Sequence, residues 1–244
     1  MGYMYKRIVC KFKFEKNLTG FEADYLTFHR RRLESLLKLL DSQTKPYKSK
    51  VLNIGLSVFD LMVKEKLLVE KNFDYFVAVP SLNFGKSPIY KGIELLEFDI
   101  CNPNQVTKNY ESSFDFIIFS GVLEHLFCDD SKVLKILQIL LKQNGRMFLV
   151  VPNAVSFINR VKLLLGKNIH WNKKDILGGT EYGGYGHIRE YTKMEVAELV
   201  APIFNIISFI PINDYYVRGV NFGRFNKLIP TTWSIDIGVL LENK

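Results

Sequence analysis

Two adjacent titratable side chains, Glu124 and His125, follow an unbroken apolar run at residues 116–119. Such a run is typical of a strand that is buried on both faces of a parallel sheet. Ser120 and Gly121 interrupt it, and a glycine lets the backbone approach a ligand closely. Open α/β sheets bind their ligands at the carboxyl ends of their strands. The sequence therefore predicts that Glu124 and His125 lie at a ligand-binding edge, at the start of a helix. There His125 can act as a base, and Glu124 can orient a ligand or accept a hydrogen bond from His125, with a solvated or capping role as the alternative for Glu124.

A third titratable candidate, His187, ends a stretch rich in glycine and aromatic residues at 168–187. Loops of this length are uncommon in a compact domain unless they form a lid or a binding loop. We expect this loop to cover the same edge, with Tyr182, Tyr185 and the nearby Arg189 contacting a substrate. For each histidine, a packed and hydrogen-bonded role is the alternative to that of a general base. No His, Cys or carboxylate group has metal-ligand spacing, so no metal is predicted.

Strand-like and helix-like segments alternate from residue 50 onward, which predicts a doubly wound, mostly parallel α/β sheet. Strands are expected at 51–54, 73–79, 94–100, 116–119, 147–151 and 204–210, and a final antiparallel strand at 231–241. Ser57 and Asp60 have the spacing of a helix cap and its acidic partner. The helix that follows Glu124 is expected to end at Asn144 and Gly145.

The amino-terminal segment carries most of the charge, because residues 1–50 contribute +7 of the net +8. Residues 21–40 have apolar side chains at helical spacing. The apolar face consists of Leu33, Leu36, Leu37 and Leu40. We expect a helical cap that packs this face on the sheet and leaves Arg30, Arg31 and Arg32 solvated or near the substrate opening. Binding of RNA by the three arginines is the alternative.

The composition of the 244 residues, 48% hydrophobic and 24% charged, is that of a globular protein with one core. No apolar run approaches the roughly 20 residues that cross a bilayer, and no signal peptide is evident, so a cytoplasmic protein is expected. The three cysteines, Cys10, Cys101 and Cys128, are odd in number and far apart. Buried free thiols are the preferred interpretation.

Three segments resemble the class I, Rossmann-like methyltransferases that use S-adenosylmethionine. They read FDFIIFSGVLEHL at 114–126, VLKILQILLKQNG at 133–145 and GHIREYT at 186–192. The resemblance covers most of residues 50–210 and implies a seven-stranded sheet in one domain. That domain would comprise a basic arm and helix (1–49), a cofactor half (50–152) and an acceptor half (153–244). The segments look most like a bacterial and archaeal subgroup often associated with glycoconjugate synthesis, which implies a small-molecule or glycan acceptor.

The resemblance also implies a cofactor site at the carboxyl ends of the first four strands. On this chain its residues would be Asn53, Gly55, Ser57, Pro80, Asp99, Ile100, Ser120 and Gly121. The family's first motif has an acidic residue and several glycines, whereas NIGLSVF at 53–59 retains only Gly55. The second strand ends at Pro80 instead of the carboxylate that binds the ribose hydroxyls. Three interpretations stay open: methyl transfer to a small or sugar-like acceptor, a non-catalytic scaffold with a vestigial pocket, and an RNA methyltransferase.

Overall fold

The structure is a computed structural model that describes residues 12–18, 20–85, 87–102, 107–178, 186–213, 216–217, 220–221 and 230–244. The strands are β1 (Lys50–Ile54), β2 (Asp74–Val79), β3 (Glu94–Glu97), β4 (Phe114–Ser120), β5 (Leu141–Pro152), β6 (Phe204–Ile212), β7 (Tyr216–Val217), β8 (Val220–Asn221) and β9 (Asp236–Asn243). The helices are α1 (Phe21–Gln43), α2 (Val58–Met62), α3 (Val69–Lys71), α4 (Thr107–Tyr110), α5 (Asp130–Leu140), α6 (Phe157–Leu164), α7 (Lys173–Gly178) and α8 (Lys193–Val200). A π-helical segment, Val63–Leu68, joins α2 to α3.

Seven strands form one sheet in the order β3-β2-β1-β4-β5-β9-β6. All neighbouring strands are parallel except β9, which runs antiparallel to both β5 and β6. The predicted doubly wound, mostly parallel sheet is therefore confirmed. The strand order reverses between β1 and β4, and their carboxyl ends flank the crevice where such sheets bind ligands.

Both faces of the sheet are covered, which explains the unbroken apolar run in β4. Phe114, Ile117 and Phe119 belong to one buried cluster, and Phe116 and Ile118 belong to the cluster on the opposite face. Successive strand residues point to opposite faces, so a strand covered twice has no polar alternation.

Helices cover the two faces as the apolar periodicity predicts. Five buried residues of α5 pack in the first cluster: Val133, Leu134, Ile136, Leu137 and Leu140. The predicted leucine face of α1 packs in the second cluster together with α2: Leu33, Leu36, Leu37 and Leu40. Each fully buried leucine contributes roughly 1.5–3 kcal/mol relative to an exposed one, so this face fixes the helical cap on the sheet.

The connection between β4 and α5 differs from the sequence prediction. A short 3-10 turn, Leu123–His125, follows β4, and α5 begins only at Asp130. Asp129 ends the intervening loop because its side chain accepts hydrogen bonds from the backbone N–H groups of Ser131 and Lys132. Glu124 and His125 thus lie on a tight turn at the sheet edge and not at the start of a long helix.

The end of α5 is also earlier than predicted. Leu141 already pairs with Phe114 in the sheet, and pairing resumes at Arg146 opposite Phe116. Asn144 adopts a φ of 60° between these two points. The predicted helix-ending turn at Asn144 is therefore an interruption within β5.

A disulfide joins Cys101, in the loop after β3, to Cys128, in the loop before α5. Both loops leave the carboxyl edge of the sheet, so residues 27 positions apart in sequence become neighbours. The prediction of free thiols is wrong for this pair, and Cys10 lies outside the described residues. In the described part of the chain, none of the helices combines the length and the apolar character required to cross a membrane.

Candidate active site

Two adjoining cavities open at the carboxyl edge of the sheet. The first, of about 500 Å³, lies beyond the ends of β1, β2 and β4. The second, of about 330 Å³, lies between the Leu123–His125 turn, the start of α6 and the start of β9. Tyr25 and Gly121 line both cavities, so the two spaces meet at these residues.

The turn after β1 shapes the first cavity. Gly55 has a φ of 92°, and a Cβ atom there would lie only 3.2 Å from Val122 Cγ2. The turn therefore requires glycine. The Ser57 hydroxyl accepts a hydrogen bond from the backbone N–H of Phe59, and Asp60 accepts one from the Ser57 N–H, which confirms the predicted cap of α2.

A buried polar network lies beneath this turn. The amide Nδ2 of Asn53 donates to the Gly55 carbonyl at 2.9 Å and to Asp60 Oδ1 at 2.8 Å. The Tyr75 hydroxyl also donates to Asp60 Oδ1, at 2.7 Å. Burial raises the pKa of Asp60 to about 6, although these hydrogen bonds oppose the rise. The Asn53 amide is thus engaged within the protein.

Six of the eight predicted cofactor residues line the first cavity: Asn53, Gly55, Ser57, Pro80, Ser120 and Gly121. Asp99 and Ile100 do not line it. Asp99 is exposed and accepts a hydrogen bond from the Cys101 N–H at 3.0 Å, whereas Ile100 is buried in the core. Their part in cofactor binding stays a prediction.

Helix α1 forms a roof over both cavities. Glu22, Tyr25, Leu33 and Leu36 face the first cavity, and Tyr25, His29 and Arg32 face the second. The sequence interpretation missed His29 and Arg32 as site residues. Residues 25, 29 and 32 share one helical face, and this spacing was the available signal.

Arg32 is buried, so it does not take the solvated position that was one of the two expected for the arginine triplet, and it lines the second cavity. It donates to the Tyr25 hydroxyl at 2.7 Å, and its Nη1 lies 3.6 Å from Asp236 Oδ2. Burial raises the pKa of Asp236, while Arg32 and His187 oppose that rise. Burial, with the charge of Arg32, lowers the pKa of His29 to about 3, so His29 is neutral at pH 7.

Three titratable side chains that the sequence predicted, Glu124, His125 and His187, meet in the second cavity. One ligand atom of each lies within 4.8 Å of the others. His125 Nε2 is 4.0 Å from Glu124 Oε1, and the two imidazole ring centroids are 5.0 Å apart. The fold thus brings together residues from two distant segments.

Each imidazole is oriented through its Nδ1 atom. His125 Nδ1 lies 3.4 Å from the Gly186 carbonyl oxygen, and His187 Nδ1 lies 3.2 Å from Glu190 Oε1. Glu190 is held in turn by the Nδ2 group of Asn159 at 3.0 Å. Glu190 and Asn159 were absent from the predicted site. Glu190 lies within the segment at 186–192 but had no role assigned to it, and no local motif marks Asn159.

Glu124 is the most deeply buried of the three, with 3% of its surface exposed. Burial raises the pKa of its carboxyl group to about 7, while His187 and Arg32 oppose the rise. Its Oε2 atom has no hydrogen-bond partner among the described residues. A carboxyl group with a pKa near 7 in a cleft has the properties of a functional group.

The other predicted substrate residues lie elsewhere or outside the described chain. Arg189 is exposed, donates to Glu195 Oε1 at 2.8 Å and lies over the ring of Tyr191. It faces a neighbouring depression and does not line the second cavity. Tyr182 and Tyr185, in the part of the predicted lid at 179–185, fall outside the described residues.

No protein-family model matches the chain, and no curated protein matches its sequence. Solved structures do match. A SAM-dependent methyltransferase from Thermotoga maritima, described as a possible histamine N-methyltransferase, has a TM-score of 0.58 at 16% identity, covering 95% of this chain and 98% of that chain. The 1,6-didemethyltoxoflavin-N1-methyltransferase from Burkholderia thailandensis, with S-adenosylhomocysteine bound, has a TM-score of 0.53 at 14% identity, covering 91% and 87%.

A third similar structure is the N-methyltransferase NodS from Bradyrhizobium japonicum in complex with S-adenosylhomocysteine. Its TM-score is 0.51 at 13% identity, covering 88% of this chain and 87% of that chain. Together with the strand order, these structures show that the chain has the class I, Rossmann-like methyltransferase fold.

Proposed function

We propose that this protein transfers a methyl group from S-adenosylmethionine to a small hydroxylated or sugar-like acceptor. The observation that carries the proposal is the junction of two cavities at Gly121. One cavity is bounded by a glycine turn and a helix cap, and the other is lined by titratable side chains. A methyl donor and an acceptor in these cavities would face each other across Gly121.

The two glycines that line the first cavity, Gly55 and Gly121, leave space for the cofactor because they have no side chains. A Cβ atom at Gly55 would lie against Val122, and one at Gly121 would lie against Arg32 and Glu124. Their absence leaves room for the methionine part of the ligand, and the hydroxyl groups of Ser57 and Ser120 would supply hydrogen bonds.

The same cavity lacks the carboxylate that in this family binds the ribose hydroxyls, because β2 is followed by Pro80. The loss of a charged hydrogen-bond acceptor costs roughly 1.5–3 kcal/mol, about one to two decades of affinity. We therefore propose binding that is weaker than in relatives with the complete motif.

The cofactor would supply an activated methyl group, so the protein's main tasks would be to align the acceptor and to accept its proton. Glu124, His125 and His187 all line the acceptor cavity and are the candidates for that base. The pKa of about 7 makes Glu124 able both to take up and to release a proton at neutral pH.

The second cavity favours a small polar acceptor over RNA. It is lined by the hydrogen-bonding side chains of Arg32, Asn159, Glu190 and Asp236, and its volume is about 330 Å³. The arginine triplet gives less support to RNA, since Arg30 pairs with Glu15 at 2.9 Å and Arg32 is buried. Neither side chain offers an exposed charge for phosphate groups.

Calorimetric titration with S-adenosylmethionine and S-adenosylhomocysteine tests the proposal. We expect both to bind, and we expect Gly55→Ala to weaken binding because the new Cβ atom would narrow the cavity beside Val122. Gly166→Ala is the matched control, because Gly166 also has a positive φ, of 68°, but has open space around it. No heat and no thermal shift at millimolar ligand would favour the scaffold interpretation.

A further inference from the structure

We propose that Glu124, His125 and His187 form a binding site for a divalent transition-metal ion. Their ligand atoms converge within 4.8 Å of one another in the second cavity. Two imidazole nitrogens and one carboxylate oxygen are a ligand set used by zinc and by iron(II) sites. The sequence interpretation found no metal site because His187 is distant in the chain from the adjacent pair Glu124 and His125.

The orientation of both histidines matches that of metal ligands. In metal sites, the ring nitrogen that does not bind the ion commonly donates to a carbonyl or carboxylate group, which fixes the tautomer. Here the Gly186 carbonyl faces His125 Nδ1 and the Glu190 carboxylate faces His187 Nδ1. This arrangement directs the Nε2 atoms to be the ligands, and His125 Nε2 is on the side of Glu124.

Glu124 provides an independent observation. The residue is 3% exposed, and its Oε2 atom has no hydrogen-bond partner among the described residues. An unpartnered buried carboxyl oxygen is energetically costly and calls for a ligand or ion. A cation that is bound by the Glu124 carboxylate and the two imidazoles would compensate for the burial of this carboxyl group.

The two segments that carry the ligands are already joined without an ion. The backbone N–H of Ile188 donates to the Glu124 carbonyl oxygen at 2.8 Å, which links the 3-10 turn to the segment around His187. The Trp171 ring packs against Gly186 and lies 5.1 Å from the imidazole of His187. The site is therefore preformed, and little ordering is needed on binding.

Nearby charges and the ligand types select the kind of ion. Arg32 opposes a cation, whereas the carboxylates of Asp236 and Glu190 favour one. Magnesium and calcium prefer all-oxygen sites, so imidazole nitrogens favour zinc, iron(II) or cobalt(II). Three protein ligands leave open coordination positions, as in catalytic metal sites.

This inference does not depend on methyl transfer, and it changes the role of the cluster. Histidines that bind an ion through Nε2 are not available as general bases. Metal binding can be measured on the protein without cofactor or acceptor, so failure of the metal site and failure of the proposed activity are separate results.

Titration of chelator-treated protein with Co²⁺, followed by absorbance and calorimetry, tests the site. We expect one equivalent to bind, with visible absorption bands of a nitrogen- and oxygen-ligated ion. All variants would carry Cys10→Ser, which excludes a thiol ligand. His187→Ala, His125→Ala and Glu124→Gln should each greatly reduce affinity, and Glu190→Gln should reduce it about tenfold or more through the orientation of His187.

His170→Ala is the matched control, because His170 is an exposed histidine outside the cluster. We expect it to leave Co²⁺ binding unchanged. If an alanine variant does not fold, as judged by circular dichroism, the near-isosteric Glu124→Gln decides the result. Absence of Co²⁺ binding, or binding that persists in Glu124→Gln, would overturn the proposal.

Discussion

Asp60 and Glu124 are carboxyl groups that the fold buries in different surroundings. Asp60 accepts hydrogen bonds from Asn53, Ser57 and Tyr75, so both of its oxygens have protein partners. Glu124 has one oxygen without a partner among the described residues and faces a cavity. The Asp60 carboxyl group is therefore occupied by hydrogen bonds within the protein, whereas the Glu124 carboxyl group is accessible to a ligand in the second cavity.

The burial of Asp60 predicts a specific dependence of stability on pH. Its pKa is about 6 in the folded protein against an ordinary value of 3.8 for aspartate, so the folded state holds the proton more tightly. Between about pH 4 and pH 6 the folded state binds more protons than the unfolded state, and the free energy of unfolding therefore falls as pH rises. The loss of stability between these two pH values is about 3 kcal/mol, and it is complete once the pH is above the folded pKa.

Denaturant unfolding of wild type and Asp60→Asn across pH 4–7 measures this contribution. We expect the stability difference between the two proteins to change by this amount over the window. Asp74→Asn, at an exposed aspartate, is the control and should follow the wild type. If the free energies of unfolding of wild type and Asp60→Asn change in parallel with pH, burial does not raise the pKa of Asp60.

At the level of elements, α1 contributes both to the core and to the wall of the first cavity. Leu40 is fully buried in the core, whereas Leu36 is buried and also lines the first cavity. Truncation of either leucine removes packing contacts and leaves a cavity. Only truncation of Leu36 changes the wall of the proposed cofactor site.

We predict that Leu36→Ala and Leu40→Ala each lower the free energy of unfolding by about 2–5 kcal/mol. Leu36→Ala should also weaken binding of S-adenosylhomocysteine, whereas Leu40→Ala should leave the affinity of the folded fraction unchanged. Denaturant unfolding and calorimetry on the same preparations provide both values. Equal losses of affinity in the two variants would argue against a role of α1 as the cavity roof.

Local patterns predicted the elements well. The unbroken apolar run of β4 and the cap at Ser57 follow from interactions between residues close in sequence. The capping box of Thr192 and Glu195 at the start of α8 is another interaction between residues close in sequence. Such signals need only a few neighbouring residues, so they can be interpreted without a tertiary structure.

The composition of the second cavity could not be predicted in the same way. Arg32, Glu190 and Asp236 come from α1, from the segment before α8 and from the start of β9. Their approach depends on how the sheet is ordered and covered, and no motif records it. A basic triplet on a helix predicted arginines that are solvated or near the substrate opening, and it gave no sign that Arg32 would be buried against Asp236.

At the scale of the whole molecule, the disulfide links two loops at the functional edge. Closing a loop of 27 residues stabilises the folded state by about 3 kcal/mol in the chain-entropy model. We predict that denatured, unreduced protein has one titratable thiol, from Cys10, and that Cys10→Ser has none. The Cys128→Ser variant should unfold at a lower temperature than the oxidised wild type. Its unfolding temperature should equal that of wild type treated with a reductant. Three titratable thiols in the unreduced protein would contradict the link.

The central claim is that a methyl donor and an acceptor meet at Gly121. A crystal structure of the protein soaked with S-adenosylhomocysteine tests this most directly. We predict ligand density in the first cavity, with the sulfur atom beside Gly121 and facing Glu124. Density at another location, a sulfur atom directed away from the second cavity, or an empty first cavity at saturating ligand would contradict the account.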